Sequence, residues 1–350
     1  MKFFKRILIV LVVVMTLITV FFTILFFIDY RPPKEQLIAE NDCKVLTCDT
    51  FTILTWNIGY AGLDETMDFF YEGGTQVRQS KEQTAKNLYE ICNFIKGNDS
   101  VDFILLQEVD INSKRTYNVN QFLEIEAAIP LFKSYFTINY NADFVPMPVS
   151  EPTGKVLSSL VFCTKHKFCT LMHYAYPNTM QLPSRAFLYD RCILVARYNL
   201  QNGKQLLIIN THNSAFDSGK QREEEMIFLR QFVTTEYELG NYVIVGGDWN
   251  QMPPESTDHA KTAGNFTTMK IPADFFPHGW RWFSGKIPTN RYLDKPYRID
   301  ENTTITLDFF LASPNVECMN IEVIDLQFAN SDHNPIIAQF SIKKETRIIE

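Results

Sequence analysis

Tyr242-Val243-Ile244-Val245 is apolar at every position, β-branched at three of the four, and runs directly into Gly246-Gly247-Asp248. A strand of this composition does not alternate, so it is buried on both faces and the chain must supply a layer of structure on each side of it. The glycines mark a tight turn, after which Asp248 and Asn250, two positions apart, leave the same face of an extended chain together. Alone, a Gly-Gly-Asp segment is an ordinary turn.

Other apolar runs end in the same way. Residues 51–58 predict a strand that delivers Asn57, with Gly59 as the turn, and residues 101–109 a strand that delivers Glu108. Residues 187–198 and 204–210 predict neighbouring strands joined at Asn202-Gly203, the second ending in Asn210-Thr211-His212. Strands are expected again at 304–312, 316–326 and 335–342, and 158–163 with 167–174 suggests a hairpin. Capping boxes at Ser80-Lys-Glu-Gln83 and Ser218-Gly-Lys-Gln221 open two helices, and residues 118–129 read as a third. Residues 60–79 form a loop over the same end of the sheet, and 253–297 are irregular and aromatic. Strands with few helices, paired in mixed fashion, predict an α/β fold of two packed sheets with helices outside.

Residues 7–28 carry no charge and are long enough to span hydrocarbon at about 1.5 Å per residue. The apolar core is longer than that of a cleaved signal peptide, and Asp29-Tyr30-Arg31-Pro32-Pro33 offers no small-x-small cleavage site, so an uncleaved anchor is expected. Lys2, Lys5 and Arg6 precede it, which puts residues 1–6 in the cytoplasm and the rest on the far side. Residues 29–50 are expected to be a polar linker, 51–343 the catalytic domain and 344–350 a tail. Residues 35–350 hold 28 basic and 39 acidic side chains, net −11, with no basic stripe to grip nucleic acid. The seven cysteines permit disulfides in an oxidising compartment, with Cys163–Cys169 and Cys43–Cys48 as candidate pairs. The spacings do not match a zinc site.

Six strand ends or the loops after them thus carry Asn57, Glu108, Asn210 with His212, Asp248 with Asn250, Asp308, and Asp332 with His333. Carboxylates and amides on one rim are what a hard divalent cation needs, and histidines supply acid–base chemistry. In this the chain resembles the endonuclease/exonuclease/phosphatase superfamily, through Trp56-Asn57-Ile58, Gln107-Glu108-Val109, Asn210-Thr211-His212, Gly247-Asp248-Trp249-Asn250, Leu307-Asp308-Phe309 and Ser331-Asp332-His333-Asn334-Pro335, in the family's order. The resemblance covers residues 51–342 and implies a four-layer α/β sandwich, two mixed sheets face to face with helices outside.

It also implies roles. Asn57 and Glu108 would bind the metal, with Asp332 close to it; Mg²⁺ suits such oxygen ligands, with Mn²⁺ or Ca²⁺ as alternatives. Asp308 would orient His333, His212 would stabilise charge on phosphoryl or leaving oxygens, and Asp248 with Asn250 would orient water and phosphate. The base is Asp248 or His333. The expected function is a membrane-anchored, extracytoplasmic phosphodiesterase or phosphatase acting on a lipid head group or another phosphoester. The aromatic stretch 274–283 would rest on lipid, line a pocket or simply pack in the core. The alternatives are a Mg²⁺-dependent nuclease, which the missing basic groove disfavours, and a catalytically inactive binding or scaffold module, against which no key group is missing. The Pro-x-Trp-Cys-Asp-Arg signature of the 5-phosphatase branch is absent.

Overall fold

The computed structural model describes residues 2–188, 190–215, 220–257, 262–263 and 266–343. Its strands are β1 (Glu35–Glu40), β2 (Thr50–Asn57), β3 (Phe103–Asp110), β4 (Lys133–Val145), β5 (Gly154–Thr164), β6 (Thr170–Ala175), β7 (Cys192–Asn199), β8 (Gln205–His212), β9 (Tyr242–Asp248), β10 (Thr262–Ala263), β11 (Phe266–Thr267), β12 (Arg281–Phe283), β13 (Asn290–Arg291), β14 (Thr304–Ile305), β15 (Asp308–Ala312), β16 (Val316–Val323) and β17 (Ile336–Ile342). The helices are α1 (Lys2–Ile28), α2 (Lys81–Gly97), α3 (Gln121–Ala128) and α4 (Lys220–Glu238).

Seven strands form one sheet in the order β1-β6-β7-β8-β9-β15-β12, and six form the other in the order β16-β17-β2-β3-β5-β4. Both are mixed: β8–β9 and β2–β3 run parallel, and the remaining pairs are antiparallel. Side chains such as Phe51, Phe103, Phe162, Leu194, Ile244 and Phe310 fill the space between the sheets. Behind the six-stranded sheet, Leu88, Ile91 and Ile95 of α2 and Ile125 of α3 pack on Leu54, Ile104 and Leu106. Met226, Leu229 and Val233 of α4 cover Ile209, Val243 and Val245 of the other sheet. The four layers are those expected, and the non-alternating strand at 242–245 is buried throughout, as its composition requires.

Several expectations are corrected. Residues 29–50 are not merely a linker: β1 lies within them and pairs with β6, because Leu37, Ile38 and Ala39 extend the sheet at its edge. The stretches 158–163 and 167–174 do not form a hairpin. The first belongs to β5 in the six-stranded sheet, the second to β6 in the seven-stranded sheet, and the chain between them crosses the core. The disulfide joins Cys43 to Cys169, since the pairing of β1 with β6 brings those two together; Cys48 and Cys163 are free. The aromatics of 274–283 pack in the core, with Phe276 and Trp280 buried and Trp282 edge-on to Trp249. The Ser80 cap is half of a box: its hydroxyl accepts from Gln83 N, but the Gln83 side chain turns to Asn87. Ser218 and Gly219 of the second capping box and the tail at 344–350 lie outside the described residues.

α1 is long and apolar enough to cross a membrane, and its side chains are exposed apart from the buried Leu25 and the half-buried Ile28.

Candidate active site

Three strands of the seven-stranded sheet set the centre of the site. In the ladder, Asp248 at the end of β9 stands opposite His212 on β8 and opposite Asp308 on β15. Gly247 has φ +148°, and a Cβ there would collide with the Thr211 carbonyl, so the strand can turn outward only with glycine at this point. Asn250 follows with φ +50°, a conformation asparagine tolerates better than most residues. Its amide is fixed by a bond to the Asn213 carbonyl (2.8 Å), and the guanidinium of Arg222 on α4 donates to its own carbonyl (3.2 Å).

The six-stranded sheet brings the other half. Asn57 Nδ2 donates to Asp248 Oδ2 at 2.9 Å, joining the two sheets across the site. β3 is irregular between Leu106 and Val109 in its pairing with β5, and Glu108 takes φ +55°. A bulge with a left-handed, non-glycine residue re-aims a side chain, and here it turns the Glu108 carboxylate into the cavity, 3.7 Å from His212 Nε2. Asp332 Oδ1 lies so close to Gly59 that a Cβ on that glycine would stand 2.7 Å away. This puts the carboxylate beside the turn that follows Asn57.

His333 is held from several sides. Its Nδ1 is 2.7 Å from Asp308 Oδ2, its backbone carbonyl accepts from Trp56 Nε1 (2.8 Å), and Asn290 Nδ2 is 2.9 Å from its Nε2. The same Nε2 is 3.8 Å from both Asp248 Oδ2 and Asp332 Oδ2. His212 Nε2 approaches Asp248 Oδ2 to 3.3 Å.

These groups are buried, so charge decides their protonation. Burial opposes a charge on His333, but Asp308, Asp332 and Asp248 together hold its pKa well above the ordinary value. Burial lifts Asp308 to about 6. The two share one proton, which belongs on the imidazole because that ring faces three carboxylates. Asp248, despite burial, is kept well below the usual carboxylate range by His333, His212 and Asn57. His212 is pushed down by burial and by Arg191. Asp332 rises to about 6 through burial.

The eight residues given catalytic or metal roles from the sequence, Asn57, Glu108, His212, Asp248, Asn250, Asp308, Asp332 and His333, therefore gather at one end of the sandwich. All but Asp308 line the same cavity, and Asp308 stands directly behind His333. Asn210, one residue of the same motif as His212, does something else: its amide donates to the Leu106 and Val161 carbonyls and its oxygen accepts from Gln107, so it clamps the sheets together. Sequence reasoning missed Asn290, Arg115 and Arg191. Arg115 is held by Asp110 and lies 3.6 Å over the Tyr60 ring, and Arg191 donates to Asn139; both line the cavity. A search for a basic stripe overlooks two single buried arginines, and Asn290 has no signal beyond its place in an irregular stretch.

The model of the Endonuclease/Exonuclease/phosphatase family matches residues 54–333. The chain belongs to that family. Solved structures agree at the level of fold. An endonuclease/exonuclease/phosphatase from Beutenbergia cavernae is similar with a TM-score of 0.55 and 15% identity, over 84% of this chain and 72% of that one. A mannosyl-6-phosphatase from Bacteroides thetaiotaomicron gives 0.51 and 14% over 83% and 100%, and D. rerio TDP2 with a single-strand DNA product gives 0.50 and 15% over 84% and 100%. No curated protein matches. As a member of the endonuclease/exonuclease/phosphatase family the chain is a hydrolase of phosphoester bonds, and that family generally uses a divalent metal.

Proposed function

We propose that this protein is a membrane-anchored, extracytoplasmic, Mg²⁺-dependent phosphodiesterase acting on a lipid head group. The observation that carries the catalytic part is the connected set Asp308–His333, Asp248 and Asn57, facing Glu108 in a cavity of about 100 Å³. That volume is well below the about 300–1,000 Å³ that encloses a drug-sized ligand, which fits a substrate whose phosphoryl group enters and whose bulk stays outside.

The oxygen donors Glu108, Asn57 and Asp332 fit a hard cation. Asp248, Asp308 and His333 also bring ligand-type atoms within 4.8 Å of one another, but Asp308 Oδ2 and His333 Nδ1 are taken up by their mutual bond, and Asp248 Oδ2 accepts from Asn57. Glu108, Asn57 and Asp332 would hold the metal, which when bound neutralises charge gathering on phosphoryl oxygens. Asp248 and Asn250 orient the attacking water, and Asp248 with His333 handles its proton as a coupled pair. His212, Arg115 and Arg191 bear on the phosphoryl and leaving oxygens.

Topology rests on Lys2, Lys5 and Arg6 ahead of α1, and on the Cys43–Cys169 disulfide, a bond that persists outside the reducing cytosol. A panel of sphingomyelin, phosphoinositide, nucleic-acid and generic diester substrates, assayed with Mg²⁺ and with chelator, tests the reading. Metal-dependent turnover of a lipid diester is expected. Preference for nucleic acid, or turnover insensitive to chelator, contradicts it.

A further inference from the structure

The anchor joins the catalytic domain without slack. Asp29, the residue after the last one of α1, is fully buried, with Arg185 Nε donating to Oδ1 (3.0 Å), Arg185 Nη2 to Oδ2 (2.5 Å) and Arg31 Nε to Oδ2 (2.8 Å). Leu25, one helical turn earlier, is buried too, whereas its neighbours on α1 are exposed. The Lys34 carbonyl then accepts from Ala175 N, and β1 begins. From the membrane end of the helix onward the chain is bound to the domain, so α1 cannot swing as a tether.

The turn that holds Asp29 leads into the wall of the cavity. Arg185 lies in the 3-10 turn Ser184–Phe187; the Phe187 carbonyl accepts from Tyr140 Oη at 2.8 Å, and both Leu188 and Tyr140 line the cavity. At about 2–3.5 Å per residue, Leu188 is only about 6–10 Å along the chain from Arg185. That is close to the thickness of one head-group layer, about 5–8 Å. Val145 and Val156, from the hairpin of β4 and β5, line the cavity as well, and the tip of that hairpin exposes Phe144 (48%), Met147 (45%) and Val149 (81%).

We propose that the Asp29–Arg185 latch and the Phe144–Met147–Val149 tip seat the cavity mouth on the bilayer that holds α1, so that the substrate is a phospholipid of that same leaflet, attacked in place. This rests on the anchored phosphoesterase reading above. The apolar tip continues the membrane contact that α1 begins, and the small cavity takes the phosphoryl group while the acyl chains stay in the leaflet.

The test uses the full chain in phosphatidylcholine vesicles. Val149→Trp adds an indole whose fluorescence brominated acyl chains should quench, and Arg185→Ala in the same chain should cut that quenching by at least half. An unquenched indole overturns the seating. In parallel, Arg185→Ala should lower hydrolysis of a vesicle phospholipid at least tenfold while leaving that of soluble bis(p-nitrophenyl) phosphate unchanged. Equal loss on both substrates, or on neither, also overturns it. Quenching of the Val149→Trp indole, with a wild-type chain that hydrolyses neither substrate, would support the seating and count against the phosphoesterase reading alone.

Discussion

Asp308 Oδ2 and His333 Nδ1 lie 2.7 Å apart, buried, although 25 positions separate the residues in sequence. Asp308→Asn should lower turnover by about two to four orders of magnitude. It should also move the acidic limb of the pH–rate profile downward, because the amide no longer raises the imidazole pKa. His333→Ala should be at least as damaging, and the double variant little worse than His333→Ala. Additive losses, measured as kcat/KM, would make Asp308 a structural carboxylate.

Glu108→Gln removes a charge and keeps the shape. Mg²⁺ affinity by calorimetry and turnover should fall together, the latter by roughly two orders of magnitude or more. Unchanged Mg²⁺ affinity would move the metal away from the bulge in β3.

Asn210→Ala separates structure from chemistry within one motif. It removes the side-chain donor to the Leu106 and Val161 carbonyls and the shortest of the Gln107 amide's bonds, which should cost about 2–3 kcal/mol in denaturant unfolding. The folded variant should keep most of its kcat. A large loss of kcat at unchanged stability would place Asn210 in the catalytic machinery.

The Cys43–Cys169 bond closes a loop 126 positions long. Chain entropy puts its contribution at about 3–5 kcal/mol, so reductant or Cys43→Ser should lower the Tm markedly. Peptide mapping under non-reducing conditions that pairs either cysteine elsewhere would contradict the link.

His173 is pushed down to about 4 by burial. An imidazole with a lowered native pKa binds fewer protons folded than unfolded, so its stability contribution is intact above about 6.5 and is lost as pH falls toward about 4. The loss is on the order of 3 kcal/mol. His173→Gln should flatten urea midpoints across that window. A wild type whose midpoint does not move between pH 6.5 and 4 would refute this.

The sandwich was legible because buried strands announce themselves: residues 242–245 and 103–106 have no polar face to hide. The site residues were legible because each sits in a short motif at a strand end. The rest depended on contacts between distant segments. β1 is six residues, four exposed and two half-buried, that become a strand only against β6, and β4, the longest strand, is interrupted by Asn139, Asn141 and Asp143. The left-handed turn at Glu108 has no glycine to mark it. Cys43 and Cys169 meet only once the edge of the sheet is built.

His212, Asp248 and Asp308 occupy one rung of the ladder across β8, β9 and β15. Their spacing is therefore set by strand separation, about 4.7–4.9 Å in any sheet, and not by loop conformation. A slip of β9 by a single position would put Gly247 or Trp249 on that rung and turn the carboxylate to the opposite face. The apolar run 242–245, buried on both faces, would not oppose such a slip, but the glycines do: a side chain shifted onto the place of Gly247 would meet the Thr211 carbonyl and one shifted onto that of Gly246 the Phe310 ring, so the pair that lets the strand turn also holds the register of the site.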